Sequence, residues 1–363
     1  MGNEGGGGVR SEESVNGGTD VRGCSEPPSS ADHLVVMVHG ILGSTANWKF
    51  AANQFVRTLP DKVIVHCSER NINKLTLDGV DVMGERLANE VIEVVNRMPE
   101  VKKISFISHS VGGLVARYAI GRLYRPPEEK LESDPPGGVY DNDSRGTILG
   151  LEAMNFITIA TPHLGSRGNK QVPFLFGVTA IEMVASRVIH WIFGRTGKHL
   201  FLCDNDGEPP LLLRMVEDSG DHCFMSALKA FTRRVAYSNA VHDNIVGWRT
   251  SSIRRNSELP KWEEPLCETY PHVVYEELSK AVVYEKPLEE DIVKNSTQVD
   301  GNCDVVEEKL LTRLTTLSWE RVDVSFHNSR QRFDAHNVIQ VKDTTMHSEG
   351  ADVIQHIIDR FLV

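Results

Sequence analysis

The chain has 363 residues, 40% hydrophobic and 25% charged, the composition of an ordinary soluble globule with room for one large core or two domains. Its formal net charge of -11, with no basic stripe, argues against a nucleic-acid partner and against electrostatic capture by anionic membranes. Six cysteines (Cys24, Cys67, Cys203, Cys223, Cys267, Cys303) form no CxxC pair and no zinc-like spacing, and no secretory signal opens the sequence. Reduced thiols in a cytoplasmic protein are therefore expected, with peripheral membrane contact left open. Gly2 lacks the Ser or Thr four residues on that N-myristoylation requires.

In chain order, residues 1–30 are rich in Gly, Ser, Glu and Pro and are expected to form a disordered tail. Short apolar runs follow at Leu34–Val38, Val63–Cys67 and Ile104–Ser108, each reading as a buried strand. Between the second and third, Val80, Met83, Leu87, Val91, Val94 and Met98 recur at helical spacing and stop before Pro99. Val111, Leu114, Val115, Tyr118 and Ala119 continue one helical face. Further strands are expected at Met154–Ala160, Val235–Ser238 and Val322–Phe326. Ile354, Ile357, Ile358 and Phe361 mark a closing helix. Continuous apolar strands alternating with helices specify an α/β fold with a mostly parallel sheet covered on both faces.

Three insertions interrupt the pattern. Residues 125–147 and 262–310 are polar and read as loops, the second with short helices. Residues 166–230 contain a strongly apolar stretch, Pro173 to Phe193, long enough to span a bilayer but broken by Glu182, Arg187 and His190. It reads as a buried cap or lid helix.

The chemistry begins at Ile104–Tyr118, where an apolar strand runs into Ser108-His109-Ser110-Val111-Gly112-Gly113 and a helix leaves. This strand, sharp turn and helix form a nucleophile elbow, which lifts a serine hydroxyl to the top of an α/β-hydrolase sheet. Ser108 occupies the first small position, usually glycine. A serine nucleophile needs a histidine base, and the base needs a carboxylate to fix its tautomer. Asp243 lies just beyond the strand at 235–238, where the acid belongs, although a turn-capping aspartate is the bland alternative. His336 and His347 both follow the last strand and both suit the base. His109 reads as packing, its side chain directed away from Ser110. The oxyanion donors expected are the N–H groups of Val111, after the serine, and Ile41, in the turn His39-Gly40-Ile41-Leu42-Gly43.

These two motifs, with Ala160-Thr161-Pro162-His163-Leu164-Gly165, the segment Ser238 to Asp243, and Ala335-His336, resemble the putative serine esterase family, lipase-like α/β-hydrolases long catalogued as a domain of unknown function. The likeness covers roughly residues 31–362 and favours His336 over His347. It implies a single α/β-hydrolase domain over 31–363, hydrolysis of carboxylic esters, and a lipid or long-chain acyl-ester substrate. Ser110, Asp243 and His336 would be catalytic, with no metal or organic cofactor. Two rivals remain: a non-catalytic scaffold binding lipid or protein through the apolar cap, and an acyltransferase using the same triad. Oligomeric state is not encoded in any pattern of the sequence.

Overall fold

The computed structural model describes residues 9–13, 19–23, 31–127, 145–166, 193–204, 207–262, 266, 268–283 and 302–363. Its main sheet has nine strands: β1 (Val9–Glu13), β2 (Thr19–Gly23), β3 (His33–Val38), β4 (Val63–Cys67), β5 (Lys103–His109), β6 (Glu152–Ile159), β7 (Arg233–Asn239), β8 (Val273–Ser279) and β9 (Trp319–Val324). Their spatial order is β1-β2-β4-β3-β5-β6-β7-β9-β8. The run from β4 to β9 is parallel throughout, while β2 and β8 run antiparallel at its two sides. The fold is that of an α/β hydrolase.

Alternate residues of each strand enter different cores. Leu34, Val36 and Val38 of β3 face one cluster, and Val35 and Met37 face the other. Ile104 and Phe106 of β5 oppose Ile107 in the same way. Burial on both faces is why these strands read as unbroken apolar runs instead of alternating ones. Helices α2 (Val80–Arg97) and α3 (Gly112–Leu123) cover the first face. Helices α1 (Lys49–Thr58) and α6 (Ala351–Asp359) cover the second. Because the inner strands are parallel, their carboxyl ends all open on one edge, and β5 stands at its centre.

Several elements differ from the sequence expectation. Residues 9–13 and 19–23 form an antiparallel pair, not a disordered tail; β2 pairs with the edge of β4 through Asp20↔His66 and Val21↔Val65. Backbone pairing to an otherwise open edge needs no apolar side chains, so composition carried no sign of it. The region 262–310, read as a loop with short helices, holds the edge strand β8 and most of a 13-residue helix, α5 (Asn302–Leu314). Helix α4 (Phe224–Ala230) lies at the end of the expected cap region. The apolar stretch read as a cap helix falls almost entirely outside the described residues. Among the described residues, no helix is long and apolar enough to cross a membrane. Among the described residues, Cys67, Cys203 and Cys223 form no disulfide.

One buried charge ties α2 to the sheet. Glu90 accepts hydrogen bonds from His66 Nε2 at 2.9 Å, Ser68 Oγ at 2.8 Å and the Glu69 N–H at 2.8 Å. Burial pushes its carboxyl up, but the bond and charge of His66 with the Glu69 and Ser68 donors outweigh it and hold the group below its ordinary value. A depressed folded-state value stabilises the protein above the unfolded pKa, and that contribution is lost as pH falls through the folded one. Glu90→Gln is therefore expected to cost about 2 kcal/mol at neutral pH in urea unfolding. The gap to wild type should narrow as pH falls below the ordinary carboxylate range; an unchanged gap there would show that the charge of Glu90 contributes nothing.

Candidate active site

Strand β5 ends at His109, and Ser110 follows in a left-handed conformation with φ 56°. A non-glycine residue is strained there and stays only if its surroundings hold it. Three bonds do so. The Ser110 N–H donates to the Ile159 carbonyl at 2.9 Å, and the Ser110 carbonyl accepts from the Gly113 N–H at 3.1 Å and from Thr161 Oγ1 at 2.9 Å. Gly112 makes the turn possible, since a Cβ there would lie 2.5 Å from the His39 carbonyl oxygen and 2.6 Å from that of Val38. Ser108, at the position where glycine is usual, is fully buried and donates its hydroxyl to the Ile157 carbonyl at 3.3 Å. Its departure from the pattern is accommodated.

The structure brings Ser110, His336 and Asp243 together. His336 Nε2 lies 3.0 Å from Ser110 Oγ, and its Nδ1 lies 3.0 Å from Asp243 Oδ2. Asp243 follows β7, and its carboxylate is fully engaged. Oδ2 also accepts from the Asn239 amide at 2.8 Å, and Oδ1 accepts from the N–H groups of Ile245 at 3.0 Å and Val246 at 2.8 Å. The acid is thus a turn cap and an imidazole partner at once. Burial alone would raise its pKa, but the His336 charge and bond, with the Val246 and Asn239 donors, keep it below the usual value. It is ionised across the neutral range. Asn239 is the supporting residue that spacing did not single out.

His347 stands elsewhere. Its Nε2 donates to Asp334 Oδ2 at 2.8 Å and its Nδ1 accepts from the Asp343 N–H at 3.1 Å, so both ring nitrogens are engaged. Asp323, also near a strand end, is held by Arg254 Nη1 at 2.7 Å, Ser238 Oγ at 2.8 Å and Trp248 Nε1 at 2.6 Å. That buried network fixes the segment following the Asp243 loop and leaves Asp243 as the carboxylate facing His336.

The turn after β3 lies against the elbow. The Gly40 carbonyl accepts from the Gly43 N–H at 3.1 Å and from His39 Nδ1 at 3.0 Å. In a planar peptide the N–H of Ile41 points opposite to that pinned carbonyl. Leu42 takes φ 52°, and its N–H is held by Thr76 Oγ1 at 2.8 Å. Val111 caps α3, where helix N–H groups lack intrahelical partners and the dipole favours negative charge. Among the described residues, neither the Ile41 nor the Val111 N–H donates to another group. Chemically, the arrangement offers a hydroxyl beside a base, an oriented imidazole and two free backbone donors.

Comparison with known proteins gives this geometry a context. A family model described as "Putative serine esterase (DUF676)" matches residues 28–253. The chain is 30% identical over 236 residues to "Putative lipase ROG1" of Saccharomyces cerevisiae, covering 62% of this chain and 29% of that protein. It is 28% identical over 231 residues to "Putative lipase YDL109C" of the same yeast, covering 62% and 31%. The match to "Putative lipase C4A8.10" of Schizosaccharomyces pombe is 26% identical, over 65% of this chain and 28% of that one. The aligned part thus spans under a third of each relative's length. Among solved structures, an α/β hydrolase superfamily protein from Enterococcus faecalis is similar at TM-score 0.39, with 13% identity over 68% of this chain and 84% of that chain. Lipase BlEst2 of Bacillus licheniformis in mature form is similar at TM-score 0.34, with 16% identity over 59% and 69%.

The elbow yields a stability prediction. In Gly112→Ala the new methyl meets backbone of β3, which cannot swing aside as a side chain could. We expect a loss of about 3 kcal/mol in urea unfolding. Wild-type stability in this variant would mean that the elbow is not seated against β3.

Proposed function

The chain belongs to the putative serine esterase family, and we propose that it is a hydrolase of long-chain carboxylic esters with Ser110 as nucleophile, His336 as base and Asp243 as the orienting acid. The observation that carries this reading is the unbroken chain of contacts from Asp243 through His336 to Ser110, 3.0 Å at each step. Ser110 Oγ attacks the ester carbonyl while His336 Nε2 accepts its proton. Asp243 keeps the Nδ1–H in place and offsets the imidazolium charge. The N–H groups of Ile41 and Val111 receive the oxyanion. His336 then returns the proton to the departing alcohol, leaving Ser110 acylated. A water deprotonated by the same imidazole releases the acid.

The substrate reading rests on what surrounds the reacting atoms. Leu42 of the oxyanion turn, Ile245 two residues beyond Asp243 and Phe333 three residues before His336 are exposed at 54%, 42% and 67%. Leu75 is exposed as well, one residue before the Thr76 that anchors the turn. Apolar side chains on the loops that carry each functional group suit an acyl chain better than a polar acid. With a formal charge of -11, recognition would fall to the chain of the lipid and not to an anionic headgroup.

On a fluorogenic long-chain ester, Ser110→Ala and His336→Ala should each lower kcat by about 10³-fold or more. His347→Ala should stay within about 10-fold of wild type, since its ring bonds Asp334 and the Asp343 N–H and not the Ser110 hydroxyl. Full activity in Ser110→Ala, or a dead His347→Ala beside an active His336→Ala, would overturn the assignment.

A further inference from the structure

We propose that His109 is a positioning residue for the base, its imidazole clamping the loop of His336 onto the nucleophile elbow; the proposal rests on the reading of Ser110 and His336 given above. Among the described residues, the His109 imidazole bonds the backbone of the base and not the Ser110 hydroxyl. Its Nε2 donates to the backbone carbonyl of His336 at 2.7 Å, and the two rings lie 4.6 Å apart, tilted by 50°. A carbonyl can only accept, so the proton resides on Nε2 and the tautomer is fixed.

His336 sits in a helical turn of four residues, Ala335–Val338, that does not continue. Its carbonyl therefore lacks the partner a longer helix would supply. Among the described residues, that carbonyl takes its hydrogen bond from His109. The opposite side of the ring lies toward the oxyanion turn, with no room for a side chain between: a Cβ on Gly40 would lie 3.2 Å from His109 Nδ1 and 2.8 Å from Ser110 Cβ. One buried side chain, next in sequence to Ser110, thus bonds the base loop and lies close beside the oxyanion turn.

The charge state suits this duty. Burial, then the positive charge of His336, and more weakly Lys342, push His109 well below the usual histidine range, against the opposing bond to the His336 backbone and the charge of Asp243. A neutral His109 does not oppose the imidazolium that His336 must become. Without the clamp the backbone at His336 loses its tie to the elbow, and about 1 Å of misplacement is worth on the order of 10²-fold in rate.

The test compares His109→Phe, which keeps a ring but loses the donor, with His109→Gln, whose amide nitrogen reaches as far as Nε2, and His109→Asn, whose amide falls short. Steady-state kinetics on a soluble short-chain nitrophenyl ester, with melting temperatures, supply the readout. We expect His109→Phe and His109→Asn to lose about 10- to 100-fold in kcat, with KM within about 2-fold. His109→Gln should recover to within about 5-fold of wild type. Wild-type kcat in folded His109→Phe, or in His109→Asn should the former not fold, would overturn the proposal and leave a packing role. So would equal losses in His109→Gln and His109→Asn. Ser110→Ala on the same ester separates the premises. If it turns over normally the site reading fails; if it is inactive while His109→Phe and His109→Asn are unimpaired, only the clamp fails.

Discussion

Ser110 is held in a backbone conformation that disfavours any side chain, and the site is arranged around what keeps it there. The elbow lies at the end of β5, the central strand, locked to Ile159 and Thr161 of the neighbouring strand end and seated on the last carbonyls of β3. Strain of this kind costs on the order of 1–3 kcal/mol and must be offset elsewhere. Here the two apolar cores on either side of the sheet supply the offset. The cores fix the strands, the strands fix their carboxyl ends, and the ends present the serine.

Each remaining group arrives on a different strand end. The oxyanion turn follows β3, Thr161 follows β6, Asp243 follows β7, and His336 lies beyond β9. Parallel order converts residues separated by 226 positions, Ser110 and His336, into neighbours. The electrostatic logic is equally local. Asp243 is buried but supplied with four donors, so it stays charged; His109 is buried without a counter-charge in contact, so it stays neutral. An ionised acid and a neutral neighbour leave His336 as the ring that can take up a proton beside the serine.

Much of this was legible in the order of residues. Strands buried on both faces, such as β3 and β4, advertise themselves as continuous apolar runs, and the amphipathic period of α2 marks its length almost to the residue. The elbow is legible because its geometry admits few residue types. Strand β8 was not, because an edge strand such as Val273–Ser279 carries polar residues along its length and resembles a loop. The pairing of β2 with β4 was hidden because it is made by backbone atoms. For the same reason nothing in the sequence pointed to the His109 contact, a side chain bonding a main-chain carbonyl 227 residues away. Asn239 and Thr161 were visible only as parts of longer motifs, with no sign of which group each would hold.

The central claim is that the Ser110 hydroxyl is an activated nucleophile. Exposure of the full chain to a fluorophosphonate at neutral pH, followed by peptide mass spectrometry, measures this directly. The account predicts stoichiometric phosphonylation on the peptide carrying Ser110 and on no other serine. An unmodified Ser110 in folded protein would contradict it.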